Sequence, residues 1–246
     1  MIELHLTRAR PTASMERLGP VLFPDDPSRR SAVAHRLVWA MFPPDLATRP
    51  FLYRETAPTG AGGRAGRGEF FVLSNLPPTD GGGLFEIETR RFAPLLVAGD
   101  RLEFSLRANA TAQRSEMVDG RRRNVRYDVV MRALHPIAKG RERAEARPRV
   151  IREAGIAWLI RQAEISGFGL PHPDEVAVDG YEHVLVDPEG RRGGRQAVHG
   201  RLDFEGLLEV TDPDRFISRI ASGFGRARAF GNGLMLIRRA RGGDEW

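Results

Sequence analysis

The chain is organised around Gly223-Phe224-Gly225-Arg226-Ala227-Arg228-Ala229-Phe230-Gly231-Asn232-Gly233 and the apolar run Leu234-Met235-Leu236-Ile237 that follows it. These glycines and arginines lie between a predicted helix, Asp212 to Ser222, and a predicted strand. Glycine lets backbone N–H groups approach an anion and arginine supplies charge, which together make a phosphate cradle. The glycine turns of dinucleotide folds and the G-x-x-x-x-G-K-[ST] loop lead from strand into helix, whereas this stretch leads from helix into strand. The usual mononucleotide sites therefore fit poorly. A plainer reading stands beside the cradle, in which the glycines only close a tight connection.

The 246 residues suffice for one large domain or two small ones. Hydrophobic residues make up 41% and charged residues 28%, and no apolar run nears the roughly 20 residues of a membrane span, so no membrane partner is expected. Met1-Ile2-Glu3-Leu4-His5-Leu6 reads as a first strand and not as a signal peptide. Without cysteine there are no disulfides, thiolate metal sites or thiol nucleophile, and a cytoplasmic location is expected. The net charge of +6 suits a polyanion. Lys139 is the only lysine. The arginine fork grips phosphate bidentately and stacks on bases, which favours nucleic acid over a merely solvated basic surface.

In chain order, Ile2 to Thr7 alternates as an opening strand. Asp26-Pro27 caps a helix running to about Phe42, stopped by Pro43-Pro44. Val33, Leu37, Val38 and Met41 share its apolar face, and at about 100° per residue His35 falls at the rim of that face or outside it. Two strands follow, Phe51 to Glu55 and Glu69 to Ser74, around the glycine-rich loop Ala57 to Gly68. Asn75 to Gly83 has turn chemistry with room for a short helical piece, and Leu84 to Arg90 alternates again. The order β-α-β-β-(short α)-β is a ferredoxin-like module.

The second module opens with the strand Arg101 to Arg107. Ala110 to Arg149 is rich in arginine and poor in periodicity, with a possible strand at Tyr127 to Leu134. Its runs Arg121-Arg122-Arg123 and Arg141 to Arg149 read as mobile basic surface. The stripe Ile151, Ala154, Trp158, Ile165 marks a helix from Arg149 to Ser166, ended by Gly167. Glu175 to Val178 and Glu182 to Val186 form one interrupted strand, and Gln196 to Val210 another. Asp187 to Arg195 between them is an arginine-tipped hairpin turn. The last helix starts at Asp212-Pro213. The expectation is an α+β chain of two tandem ferredoxin-like, RRM-like βαββαβ modules, residues 1–94 and 95–246.

Two such modules, with G-x-G-x-A-[KR]-A-F-G-x-G-L near the end and a histidine on the first helix, resemble the CasE family of CRISPR-associated endoribonucleases. The resemblance also rests on Arg29-Arg30, Ala34-His35-Arg36-Leu37-Val38-Trp39, Phe104-Ser105-Leu106-Arg107-Ala108-Asn109, Asp203-Phe204-Glu205-Gly206 and Val210-Thr211-Asp212-Pro213. It implies metal-independent cleavage of precursor CRISPR RNA at the base of the repeat stem-loop, with the mature crRNA kept and other Cascade subunits as partners. His35 corresponds to the family's catalytic histidine, and an imidazole titrating near neutrality suits attack by a 2′-hydroxyl. Some members carry a tyrosine three residues earlier, where this chain has Ala32. Ser31, Arg36 and Arg228 are candidates to replace it. A non-catalytic subunit that binds the stem-loop is the alternative, and a nucleotide-binding small-molecule enzyme a third.

Expected RNA contacts are Arg29, Arg30 and Arg36 on the first helix; Arg121, Arg122, Arg123 and Arg126 in the basic region; Arg191, Arg192 and Arg195 at the hairpin tip, tracking an A-form stem; and Gly223, Gly225, Arg226, Arg228, Gly231 and Gly233 in the C-terminal loop. Phe224 and Phe230 read as core plugs. The R-G-F-G-F-V signature of open-sheet single-strand readers is missing. His5, His135, His172, His183 and His199 lack metal-site spacing, and no metal or cofactor is expected.

Overall fold

The computed structural model describes residues 3–13, 27–56, 68–118, 121–186 and 197–240. The first sheet contains β1 (His5–Pro11), β2 (Phe51–Thr56), β3 (Glu69–Ser74) and β4 (Phe85–Arg91) in the order β2-β3-β1-β4, every pair antiparallel. Helix α1 (Pro27–Trp39) joins β1 to β2, which gives the ferredoxin-like strand order. Its core packs Ala34, Leu37, Val38 and Met41 against Phe51, Tyr53, Phe70, Val72 and Phe85.

Three local expectations are corrected. The opening strand begins at His5 and runs through Arg8, Ala9 and Arg10. The alternation continues there with Thr7 and Ala9 buried, while Arg8 and Arg10 point away to Glu69 and Glu88. The short helical piece between β3 and β4 does not form, because Gly81, Gly82 and Gly83 all take positive φ, which no right-handed helix accommodates. Helix α1 ends at Trp39, and Met41 and Phe42 follow in tighter turns.

The second sheet has β5 (Arg101–Ala108), β8 (Phe168–Gly169), β10 (Ala197–Val210) and β11 (Met235–Arg239) in the order β11-β5-β10-β8, and β9 (Ala177–Val186) also pairs with β10. This is the same strand order, with the second position shared by β8 and β9. The interruption of that strand lies between those two segments, and Ala177–Val186 is continuous. The segment expected to be mobile is ordered: β6 (Thr111–Val118) and β7 (Arg121–Asp128) form a separate two-stranded ribbon. Tyr127 to Leu134 is not a strand throughout, since Asp128 accepts from the N–H groups of Val130 and Met131 and so caps α2 (Val129–Leu134). Helix α3 (Arg141–Ser166) starts eight residues before Arg149, with Pro148 inside it. Pro148 suggests a boundary by its missing N–H, yet the helix runs through. Trp158 anchors α3 by stacking on Phe204 and donating its indole N–H to the Thr111 carbonyl at 3.1 Å. Helix α4 (Pro213–Ser222), capped by Asp212, buries Phe216 and Ile220.

The described residues divide into two units, one drawn from Met1–Leu95, Val184–His199 and Ala227–Leu234, the other from Leu96–His183, Gly200–Arg226 and Met235–Trp246. The C-terminal loop is therefore split at Arg226, and its second half belongs with α1 and β2. Among the described residues no helix is long and apolar enough to cross a membrane.

Candidate active site

His35 sits one turn before Trp39 on α1, and a ring of aromatic side chains fixes its imidazole. The ring centroids lie 6.4 Å from Trp39, 6.0 Å from Phe51 and 6.3 Å from Tyr53, the last nearly parallel at 14°. The helical wheel placed His35 at the rim of the apolar face, and the structure leaves it half-buried there. Its Nε2 is buried without a hydrogen-bond partner. Burial, then the positive charge of Arg49, lower the His35 pKa from 6.5 to about 4.

Arg49 stands two residues before Phe51, with its guanidinium 5.8 Å from that ring's centroid. Its Nε is also buried and unpartnered. Burial and then the charge of Arg228 lower its pKa, against a smaller opposing effect from Tyr53. The charges felt by His35 and Arg49 are thus mainly those of other cations.

Arg228 enters from the C-terminal loop. A 3₁₀ turn, Arg228–Phe230, packs against α1 and β2 within the same unit. The Tyr53 hydroxyl donates to the Ala229 carbonyl at 3.2 Å, and burial raises the phenol's pKa far above its usual range. Tyr53 is thereby a strut for the turn and not a proton donor standing in for the tyrosine missing at Ala32. Of the other candidates, Arg36 is exposed, and Ser31's side chain lies outside the described residues. Ala227 takes φ 52°, a conformation that costs a residue with a Cβ about 1–2 kcal/mol. The buried Asn232 holds it, donating to the carbonyls of Ala227 and Phe230, both at 3.2 Å.

The glycines in this loop serve mainly the path of the chain. A Cβ on Gly225 would lie 2.6 Å from the Asn109 carbonyl oxygen. Gly231 caps the turn, and Gly233 follows it with φ 91°. The N–H groups of Gly223 and Arg226 already donate to Arg219 and Asn109. The charge for an anion comes instead from side chains. Phe224 is a core plug as expected, while Phe230 is half-buried and stacked on His199.

Gly223, Gly225 and Arg226 fall in the second unit, Arg228, Gly231 and Gly233 in the first. The side chains of Arg29 and Arg30, and the hairpin tip with Arg191, Arg192 and Arg195, lie outside the described residues. On the ribbon, Arg121, Arg122, Arg123 and Arg126 are exposed, and among the described residues none of them forms an ion pair. Strand alternation sets Arg122, Asn124 and Arg126 on one face with Met117, Ser115 and Gln113 opposite, and no carboxylate lies among these six. The outer face of the second sheet differs: Arg107 pairs with Asp203, Arg238 with Glu103, and Ser105 with Glu205. That face carries carboxylates where a single-strand reader would carry aromatic rings.

Arg49, Tyr53 and Asn232 were missed by sequence reasoning. Arg49 falls in a loop with no motif, and Tyr53 looks like any strand aromatic. Asn232 occupies the variable place in G-x-G. Among the described residues no group of three or more His, Asp or Glu is placed to hold a metal ion.

The model of a family described as CRISPR associated protein matches residues 2–239. A curated relative, the CRISPR-associated endoribonuclease Cse3 of Thermus thermophilus, is 28% identical over 151 residues, which spans 59% of this chain and 59% of the relative's length. Thermus thermophilus Cse3 bound to an RNA representing a pre-cleavage complex superposes with a TM-score of 0.61 at 22% identity, covering 96% of this chain and 99% of that one. The Escherichia coli K-12 protein Cas6e superposes with a TM-score of 0.60 at 18% identity, over 96% and 100%. At these identities the structural likeness establishes the tandem ferredoxin-like fold.

Proposed function

Because the chain belongs to the family of CRISPR-associated proteins, we propose that it is an endoribonuclease that cuts precursor CRISPR RNA at the base of the repeat stem-loop, keeps the mature crRNA and joins other Cascade subunits. One observation carries the reading: the His35 imidazole, Arg49 and the Arg228 turn belong to one unit, and the charges acting there are mainly cationic. The name of the Thermus relative supports it.

At pH 7 an imidazole with a pKa of about 4 is neutral and accepts the proton of the ribose 2′-hydroxyl. The 2′-oxygen bonds to phosphorus as the bond to the 5′-oxygen breaks. The leaving oxygen takes a proton from water, and the imidazolium returns its own to solvent. The products are a 2′,3′-cyclic phosphate and a 5′-hydroxyl, and no metal enters the step. Holding the linkage in line contributes a large share of the rate, which offsets the lack of a tyrosine at Ala32. The acid-free face of the ribbon, the hairpin-tip arginines and those of α1 supply contacts to the stem backbone.

A repeat hairpin carrying a single 2′-deoxy nucleotide before the cut tests the chemistry in excess chelator. The expected result is a bound, intact deoxy RNA beside a cleaved all-ribose RNA. Cleavage of the deoxy substrate would exclude the nucleophile. All-ribose RNA that binds tightly and stays whole would make the chain a stem-loop-binding subunit without catalysis.

A further inference from the structure

We propose that Arg147 and His183, both set on Tyr181, form an RNA-backbone site in which Arg147 grips a phosphate and His183 accepts the 2′-hydroxyl of a neighbouring ribose. The proposal rests on the RNA-binding reading above and extends it to residues that carry no motif. All of the residues involved belong to one unit, the one that holds the ribbon. The Arg147 guanidinium lies over the Tyr181 ring, 5.3 Å from its centroid. It makes no hydrogen bond or ion pair among the described residues. Its neighbours on α3 are spent otherwise. Arg141 reaches Glu145 at 2.6 Å and Arg149 reaches Glu153 at 2.9 Å, each four residues on, while Arg143 and Arg152 donate to carbonyls. Four residues from Arg147 stand Arg143 and Ile151, so the helix offers it no carboxylate there. An aromatic face holds a guanidinium in place without using its N–H groups, which stay free for a phosphate.

The platform is itself fixed. The Tyr181 hydroxyl donates to Asp128 Oδ1 at 3.0 Å, and the same oxygen accepts the N–H groups of Val130 and Met131 at 2.9 and 3.0 Å. Gly200 lets these groups meet, since a Cβ there would collide with the Asp128 carboxylate and lie 2.8 Å from the Tyr181 ring. Burial, then the charge of Asp128, raise the phenol's pKa, so the hydroxyl keeps its hydrogen. That one hydrogen goes to the carboxylate. The bond of 3.1 Å between the hydroxyl and His183 Nε2 therefore takes its hydrogen from the imidazole, and in the neutral ring Nδ1 is left an acceptor. His183 is exposed and forms no other hydrogen bond among the described residues. An acceptor close to a free guanidinium suits RNA, where a donating 2′-hydroxyl stands next to each phosphate. Position supports the same ligand. Strand alternation puts Asp128 on the ribbon face of Arg122, Asn124 and Arg126, and with its charge met by three donors that face continues to Tyr181 and the two side chains it carries.

The test measures hairpin affinity over a series of salt concentrations for wild type, Arg147→Ala, Arg147→Lys, His183→Ala, Tyr181→Phe and, as control on the same helix, Arg141→Ala. Every hairpin carries a 2′-deoxy nucleotide before the cut and so stays whole, and a further set carries one more deoxy nucleotide at each position along the stem. Loss of one phosphate contact predicts that Arg147→Ala binds about three- to tenfold more weakly and lowers the slope of log affinity against log salt by about one. Arg147→Lys is expected to keep the slope and lose part of the affinity, and Arg141→Ala to change neither. One deoxy position is expected to weaken binding to wild type about threefold and to leave binding to His183→Ala unaffected. Tyr181→Phe keeps the ring under Arg147 but releases His183, so it is expected to hold the slope and lose the deoxy effect, a separation that misfolding does not produce. Wild-type affinity and slope in Arg147→Ala overturn the site, while hairpin binding by the wild type leaves the RNA reading standing. A deoxy series to which wild type and His183→Ala respond alike overturns the ribose contact. Should wild type not bind the hairpin at all, the RNA reading itself fails and the site with it.

Discussion

His35 combines a neutral ring, an aromatic enclosure and a nearby guanidinium, and each has a consequence that pH exposes. Its folded pKa is about 4 against 6.5 for the ordinary imidazole. Between those values the unfolded chain binds a proton that the folded chain refuses, so stability rises with pH across this window. The contribution is fully present above 6.5 and lost as pH falls toward about 4. Urea unfolding at a series of pH values is expected to show this slope in wild type and a shallower one in His35→Ala. Identical slopes would mean that His35 titrates normally. At this scale the sequence offered His35 through a resemblance and Arg228 through a motif. Arg49 was invisible because its meaning comes from neighbours distant in the chain, as does that of Tyr53, whose strut spans 176 residues.

Two elements repay attention, the C-terminal turn and the ribbon. The turn keeps an alanine at positive φ because Asn232, fully buried, ties two carbonyls together. Replacing Asn232 by Ala leaves those carbonyls without their donor and is expected to cost about 1–3 kcal/mol, read from chemical denaturation. A cost near zero would show that the turn holds itself. Ala227→Gly removes the steric conflict and is expected to leave stability unchanged or higher. Arginines on both faces of the ribbon hide the period of two, so its sequence reads as mobile surface. Pairing with β6 and the Asp128 cap on α2 order it. Arg122→Ala with Arg126→Ala is expected to weaken hairpin binding and to lower the slope of log affinity against log salt by about two, one for each phosphate contact. Arg141→Ala, whose partner is the exposed Glu145, serves as the control and is expected to change neither. An unaltered slope in the double variant would remove the ribbon from the RNA surface.

For the whole molecule, the fold was legible because β1 and β5 alternate and α1 carries an apolar stripe. Strands β2 and β3 are buried on both faces, and α3 buries Val150, Trp158, Leu159 and Ala163 while Ile165 of the expected stripe is exposed. Strand order followed from the βαββαβ succession, and both sheets have it. Helix and strand ends were less legible where arginine, proline or glycine stood in for the usual signals, as at Arg8, Pro148 and Gly81. The active-site region was half legible: a motif names the loop and a resemblance names the histidine, but only folding shows that the second half of that loop joins the unit of α1. Charge follows the same logic. Among the described residues Arg107 meets Asp203 and Arg149 meets Glu153, whereas Arg121, Arg122, Arg123 and Arg126 of the ribbon form no ion pair. The central claim is that one imidazole drives transfer at a phosphate, and the direct measurement is cleavage of a repeat hairpin by wild type and His35→Ala with affinity measured in parallel. The account predicts that His35→Ala binds the hairpin as wild type does and cuts it at least about 100-fold more slowly. Equal cutting by the two proteins would contradict it.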